Sequence, residues 1–356
     1  MHDHRVQTRR FRLIVGAAFV LAVGLTVFVT IGHHLSTSSS GTPATTHAST
    51  SSTSPTTVPP SPPFAVGTET LSFTEPVAGG GAPRVIPATV RYPTTGAAGA
   101  DGRPNATPLR SAGPLPLVVF SQGFDIEAEA YAALLDFWAA AGYVVVDPTY
   151  PATAPSAPGG VDENDIVNHP ADLRFVITSM LQASNTPGTT LTGLLDPSEI
   201  AVIGHSDGGD VSLATAANTC CLDARVKAAI ILSGAELTSF GGTYFATPAL
   251  PMLVVQGTAD VVNPPACSIQ LYNQAPQPKY FLSLEGQNHE SPYLMAGAPL
   301  ETVKEVTTGF LNGYLRHSAS SLAALESQGS VPGLATISSA PAVGPEGGSC
   351  PGAPGA

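Results

Sequence analysis

Residues 199–209 read Glu-Ile-Ala-Val-Ile-Gly-His-Ser-Asp-Gly-Gly, and the rest of the chain is organised around them. A short β-branched run at 200–203 ends in Gly204-His205-Ser206-Asp207-Gly208, and an alanine-rich segment of helical composition follows at 210–218. Strand, sharp turn carrying a serine, then helix is the context in which Gly-x-Ser-x-Gly marks a nucleophile. The steric reason is local. A serine forced into a tight turn between strand and helix needs neighbours without a Cβ, so that the backbone can close and the hydroxyl can face outward. A helix beginning just after Ser206 also aims free N–H groups at charge developing there.

Outward from that turn, the pattern alternates. Strands are predicted at residues 67–73, 84–92, 115–121, 143–147, 200–203, 226–232, 251–256 and 279–284. Helices are predicted at 127–141, 170–182, 210–218, 264–272 and 300–316. The run 115–121 is apolar throughout, as expected of a strand covered on both faces. Tyr131, Leu134, Leu135 and Trp138 are spaced to make one apolar helix face. Alternating helices and buried strands imply an α/β domain with a mostly parallel central sheet, helices on both faces and one globular region over residues 64–317.

The chain of 356 residues is 43% hydrophobic, enough for a sizeable core. It carries a net charge of −12 and only three lysines, so it lacks the basic footprint of a nucleic-acid binder. Residues 1–12 hold Arg5, Arg9, Arg10 and Arg12, and an uninterrupted apolar run follows at 13–31. About nineteen apolar residues suffice to cross a bilayer as a helix. Basic residues before the run and none soon after it place residues 1–12 on the cytoplasmic side. The run is longer than a usual signal-peptide core, and no small-residue cleavage site follows closely. It therefore reads as an uncleaved transmembrane signal anchor, with secretion the outcome if it is a cleaved signal peptide instead. Residues 32–63 are Ser/Thr/Pro-rich and predicted to be a disordered linker, and 318–356 a low-complexity C-terminal tail.

Export gives the cysteines meaning. Cys220, Cys221, Cys267 and Cys350 are an even set in an oxidising compartment, which suggests two disulfides. Adjacent cysteines bond only with strain, so Cys220 and Cys221 are expected to pair separately with Cys267 and Cys350. No Cys/His spacing resembles a zinc site.

A serine hydroxyl needs a base, and the base an orienting acid. On a sheet of this kind the partners follow the serine in the order acid, then histidine. Residues 253–260 form a buried strand running into Gly257-Thr258-Ala259-Asp260, where a parallel sheet presents functional groups. Downstream of Asp260 only His289 and His317 remain. His289 follows a strand in the loop Glu285-Gly-Gln-Asn-His, whereas His317 caps the last predicted helix, where dipole effects suffice to explain it. The expected triad is Ser206, His289 and Asp260. The expected oxyanion donors are the backbone N–H groups of Asp207 and of Phe124, the latter in Ser121-Gln122-Gly123-Phe124. His205 is read as a packing residue and His169 as structural.

These residues resemble an α/β-hydrolase across nearly the whole globular region. The likeness points to the branch holding polyester hydrolases and cutinase-type lipases, platelet-activating-factor acetylhydrolases and chlorophyllases. Val118-Val-Phe-Ser-Gln-Gly-Phe, Ala139-Ala-Ala-Gly-Tyr-Val-Val-Val-Asp-Pro and Asp172-Leu-Arg-Phe-Val carry it. That branch commonly has Ser-His-Gly or Ser-Pro-Gly where this chain has Ser121-Gln122-Gly123, and a bulkier apolar residue where this chain has Asp207. The resemblance implies hydrolysis of a carboxylic ester through an acyl-enzyme on Ser206, without metal or organic cofactor, by a monomer whose substrate is a small or lipid-like ester. The interval from 233 to 251 is too short for a large lid domain. An amidase, peptidase or thioesterase would use the same triad. A non-catalytic binding protein on a hydrolase scaffold is the reading from another class, and the complete residue set speaks against it. A dehalogenase is excluded because it needs a carboxylate at position 206.

Overall fold

The computed structural model describes residues 63–76, 81–97, 102–344 and 350. The segment 13–31 expected to be an anchor, and the linker after it through residue 62, lie outside the described residues. No helix among the described residues is long and apolar enough to cross a membrane.

The ten strands among the described residues, in chain order, are β1 (Ala65–Glu75), β2 (Arg84–Thr94), β3 (Arg103–Pro104), β4 (Leu115–Ser121), β5 (Val144–Pro148), β6 (Leu195–His205), β7 (Val226–Leu232), β8 (Met252–Gly257), β9 (Lys279–Leu284) and β10 (Ala335–Ser338). They form one sheet in the order β10-β9-β8-β7-β6-β4-β5-β2-β1-β3. The strands from β4 to β9 run parallel; β2 is antiparallel to both β1 and β5, and β10 is antiparallel to β9. The helices are α1 (Ala132–Ala140), α2 (His169–Asn185), α3 (Asp207–Ala217), α4 (Pro265–Gln274), α5 (Ser291–Leu294), α6 (Ala298–Leu315) and α7 (Ala319–Gly329). This is the expected α/β-hydrolase architecture.

Period-two alternation divides each central strand between two apolar layers. Leu117 and Val119 of β4, Ile200 and Val202 of β6, and Met252 and Val254 of β8 face one layer, which α2, α3 and α4 cover. Val118 and Phe120, Ala201 and Ile203, and Leu253 and Val255 face the other, closed by α1 and α6. Both sides of these strands are buried, which is why they read as unbroken apolar runs. Each fully buried Val, Leu or Phe contributes about 1.5–3 kcal/mol of transfer free energy.

The strand order reverses at β4. From β4 the chain crosses to β5 on one side, then returns through α2 to β6 on the other. A crevice must open at the carboxyl ends of β4 and β6, and in open α/β sheets ligands bind there. The turn after β6 carries Ser206 and the loop after β4 carries residues 122–124.

Two expectations change. The segment after residue 317 is not all low-complexity tail: α7 packs on α6 with Leu325 buried in the core, and β10 pairs with β9. Leu322, Leu325, Val331, Leu334 and Ile337 are diluted in composition by Ser, Ala and Gly, but they fall on the faces that dock. The disulfides also differ: Cys220 bonds Cys221, and Cys267 bonds Cys350. The reason is the direction of the helices. Cys267 lies in the first turn of α4, at the carboxyl edge of the sheet, whereas Cys220 and Cys221 lie beyond the end of α3, which runs back from that edge by about 16 Å at 1.5 Å per residue. Cys350 packs beside Cys267 and Ala235, out of reach of the adjacent pair.

Candidate active site

At the end of β6 the backbone of Ser206 takes φ 56° and ψ −126°, a left-handed conformation that few non-glycine residues adopt. Strain of this kind costs roughly 1–3 kcal/mol and persists only where packing enforces it. A Cβ on Gly204 would stand 1.9 Å from the Gly208 carbonyl oxygen, and one on Gly208 would stand 2.0 Å from that of Ser121. The glycines of the motif are thus required by two close backbone approaches, one within the turn and one between the turn and the end of β4.

The three residues expected to form a triad meet. His289 Nε2 lies 2.8 Å from Ser206 Oγ, and His289 Nδ1 lies 2.8 Å from Asp260 Oδ2. With the Nδ1 proton donated to the carboxylate, Nε2 is free to accept from the serine hydroxyl. Asp260 is itself fixed. Its Oδ1 accepts from the backbone N–H groups of Val262 and Asn263 at 2.9 and 3.0 Å, and Oδ2 also accepts from Gln256 Nε2 at 3.1 Å. Burial pushes this carboxyl up, but the hydrogen bond and charge of His289 and the two backbone donors outweigh it and hold it below the ordinary range. Ser206 and His289 are 9% and 7% exposed, so the pair sits at the floor of the crevice rather than in bulk water. His317, the other downstream histidine, contacts Glu199 Oε1 at 3.1 Å on the surface and takes no part.

The loop after β4 abuts the nucleophile: a Cβ on Gly123 would lie 3.3 Å from the Ser206 Cβ. Among the described residues neither the Phe124 nor the Asp207 backbone N–H has an intramolecular acceptor. Asp207 is the first residue of α3, where N–H groups are left unpaired by geometry. Burial, and then the nearby charge of Glu163, push the Asp207 side-chain carboxyl up to about 7. Gln122, where the resemblance departs, is buried, and neither end of its amide finds a partner among the described residues.

Sequence reasoning missed several supporting side chains. Gln256 and Asn263 brace the Asp260 loop, with Asn263 Nδ2 reaching the Ser233 carbonyl at 2.7 Å. His205 and Tyr131 bond to each other and to the site's two loops. No local motif marks them, since their partners are distant in the chain. Asp165, His169 and Asp172 bring ligating atoms within 4.8 Å of one another. The Arg84 guanidinium bonds both Asp165 and Asp172, at 2.6–2.9 Å, so this donor set already holds a cationic side chain. It does not fit a metal.

Comparison with known proteins agrees with the topology. Residues 105–234 match the chlorophyllase family model. Among solved structures, a ferulic acid esterase from Streptomyces cinnamoneus is similar at 21% identity, with a TM-score of 0.56 over 72% of this chain and 91% of that one. No curated protein sequence matches the chain significantly. At that identity the structural likeness speaks for the fold, and the family match covers the strands and helices that carry the nucleophile and the loop after β4. The chain therefore has the α/β-hydrolase fold, and from residue 105 to residue 234 it is similar to the chlorophyllases.

Proposed function

We propose that the chain is a serine hydrolase that cleaves carboxylic esters. The observation that carries this reading is the pair of 2.8 Å contacts linking Ser206, His289 and Asp260. In the proposed reaction His289 Nε2 takes the Ser206 proton as Oγ attacks the acyl carbon, and Asp260 steadies the imidazolium that results. The backbone N–H groups of Phe124 and Asp207 receive the oxyanion. The alcohol departs with the proton from His289, leaving an acyl-serine. Water then repeats the sequence, again deprotonated by His289, and frees the acid.

Similarity to the chlorophyllases and to a ferulic acid esterase supports an ester as substrate. The connection from β7 to β8 holds one short turn of helix, Thr238–Phe240, which supports an open cleft without a lid domain in that interval. Both disulfides support an oxidising compartment. With the basic residues and apolar run at 1–31, they favour a catalytic domain held outside the cell membrane by an N-terminal anchor.

The test uses the full chain in detergent, with p-nitrophenyl acetate, butyrate and palmitate, methyl ferulate, and matched p-nitroanilides. Turnover of esters over anilides, its loss in Ser206→Ala, and a fluorophosphonate label on Ser206 are the expected results. A folded protein with neither turnover nor label would overturn the proposal, and preference for the anilides would move it to the amidases.

A further inference from the structure

The buried residue between Gly204 and Ser206 belongs to a directed chain of hydrogen bonds. His205 is fully buried, and its Nε2 lies 2.8 Å from the backbone carbonyl oxygen of His289. A carbonyl only accepts, so Nε2 carries a proton. On the other side of the ring, Nδ1 lies 2.7 Å from Tyr131 Oη. Burial, and then the neighbouring His289, lower the His205 pKa to about 3, so the ring is neutral and Nδ1 is the acceptor. The Tyr131 hydroxyl must therefore donate to Nδ1, and its oxygen accepts from the backbone N–H of Gly123 at 3.2 Å. Every proton in the series has one consistent direction, from Gly123 N–H through Tyr131 and His205 to the carbonyl of His289.

The ends of this series are informative. Gly123 precedes Phe124, whose N–H is the proposed oxyanion donor, and His289 is the proposed base. Tyr131 stands at the entry to α1 and His205 at the end of β6, so four separate segments meet through two side chains. The rings also pack: His205 lies 4.7 Å from the rings of both His289 and Tyr293, and Phe120 lies 4.8 Å from Tyr131. A phenylalanine and a leucine would fill the same space without burying two hydroxyl or imidazole polar groups, which cost free energy unless fully satisfied. Full satisfaction at both ends is what a positioning role requires.

We infer that Tyr131 and His205 are positioning residues that lock the loop after β4 to the backbone of His289, so that oxyanion donor and base keep a fixed separation across Ser206. The inference rests on the proposed ester hydrolysis. Neither side chain touches the reacting atoms.

The experiment compares Tyr131→Phe, His205→Gln and His205→Asn with wild type and with Trp138→Phe, on p-nitrophenyl acetate with the full chain in detergent. Trp138 donates to Thr307 Oγ1 between α1 and α6, makes no hydrogen bond to Tyr131 or His205, and serves as the control for stability loss alone. Tyr131→Phe and His205→Asn are expected to lower kcat by about tenfold with KM within about twofold. The fluorophosphonate reaction should slow in step. Gln places an N–H near the position of Nε2, so His205→Gln should keep more of kcat than His205→Asn, while Trp138→Phe keeps kcat and loses only melting temperature. Equal kcat in all variants, whatever their melting temperatures, would overturn the inference. If the wild type neither turns over nor labels, ester hydrolysis is the reading that fails, and nitrogen-15 NMR of the histidine rings judges the relay alone. His205 as the Nε2–H tautomer, with His289 resonances displaced in Tyr131→Phe, sustains it; unmoved His289 resonances overturn it.

Discussion

Asp260 and His289, on loops that follow different strands, meet at 2.8 Å through Oδ2 and Nδ1. The carboxylate already accepts from Val262, Asn263 and Gln256, so its orientation does not depend on the histidine. Asp260→Asn should leave the fold intact, because an amide can keep several of those contacts. It would present an N–H or a poorly aligned oxygen to Nδ1 and favour the wrong tautomer of His289. The expected loss in kcat is about 10⁴-fold, the size known for the equivalent change in a serine protease triad. Ester turnover measured beside a melting curve checks it, and a loss below about tenfold would remove Asp260 from its proposed role.

Gly208→Ala should be far more damaging than its chemistry suggests. The added methyl would lie 2.0 Å from the Ser121 carbonyl oxygen, which belongs to a central strand and cannot move aside cheaply. Overpacking of a rigid site costs typically about 1–3 kcal/mol, and a backbone contact this close should reach or exceed the upper end. Denaturant unfolding of the variant gives the value directly.

Stability should fall as pH rises through the neutral range. Burial pushes the carboxyls of Asp207 and Glu236 up to about 7 and that of Asp210 well above its ordinary value. In the unfolded chain these groups ionise near pH 4, so between about 4 and 7 the folded state binds more protons and rising pH favours unfolding. Asp165, Asp223 and Asp260 have the opposite sign. Their carboxyls are held low, so the stability they contribute is present above about pH 4 and lost below it. Buried His205, lowered to about 3, also opposes the trend up to about pH 6.5. The raised carboxyls, Asp147 among them at about 7, outnumber it, so the melting temperature is expected to be higher at pH 5 than at pH 8, and Asp207→Asn should narrow that difference.

Much of this was legible before any coordinates. The limits of β4, β7 and β9 match the predicted strands at 115–121, 226–232 and 279–284; β4 is buried at every position, and the polar Lys227 and Ser283 fall at the more exposed positions of β7 and β9. Ser206, Asp260 and His289 stood out because each follows a predicted strand, in the turn or loop where such a sheet presents functional groups. What stayed hidden depended on distant partners. Tyr131 read as one more apolar residue on a helix face, and its hydroxyl became meaningful only once β6 placed His205 beside it. The vicinal disulfide was hidden too: the sequence showed that adjacent cysteines are awkward to join, but not that both other cysteines lie at the opposite edge of the sheet.

The two disulfides should differ sharply in what they stabilise. Cys267–Cys350 closes a loop across a sequence separation of 83, which in the chain-entropy account corresponds to about 4–5 kcal/mol. Cys220–Cys221 joins neighbours and restricts almost nothing in the unfolded chain. Cys350→Ser should therefore lower the melting temperature by several degrees, while Cys220→Ser with Cys221→Ser should leave it nearly unchanged. Differential scanning calorimetry of the two variants separates them.

Strand β9 would be the open border of a nine-stranded sheet if β10 did not lie along it, with Ala335 to Ser338 opposite Leu284 to Phe281. An uncovered border of alternating N–H and C=O groups is a template on which a second copy of the same sheet can grow. The segment whose composition looked most expendable thus puts a four-residue strand at that border in place of a six-residue one. Cutting the chain after the last residue of α6 would remove α7, β10 and Cys350 together and leave β9 as the border; greater light scattering by the truncated chain is the expected result.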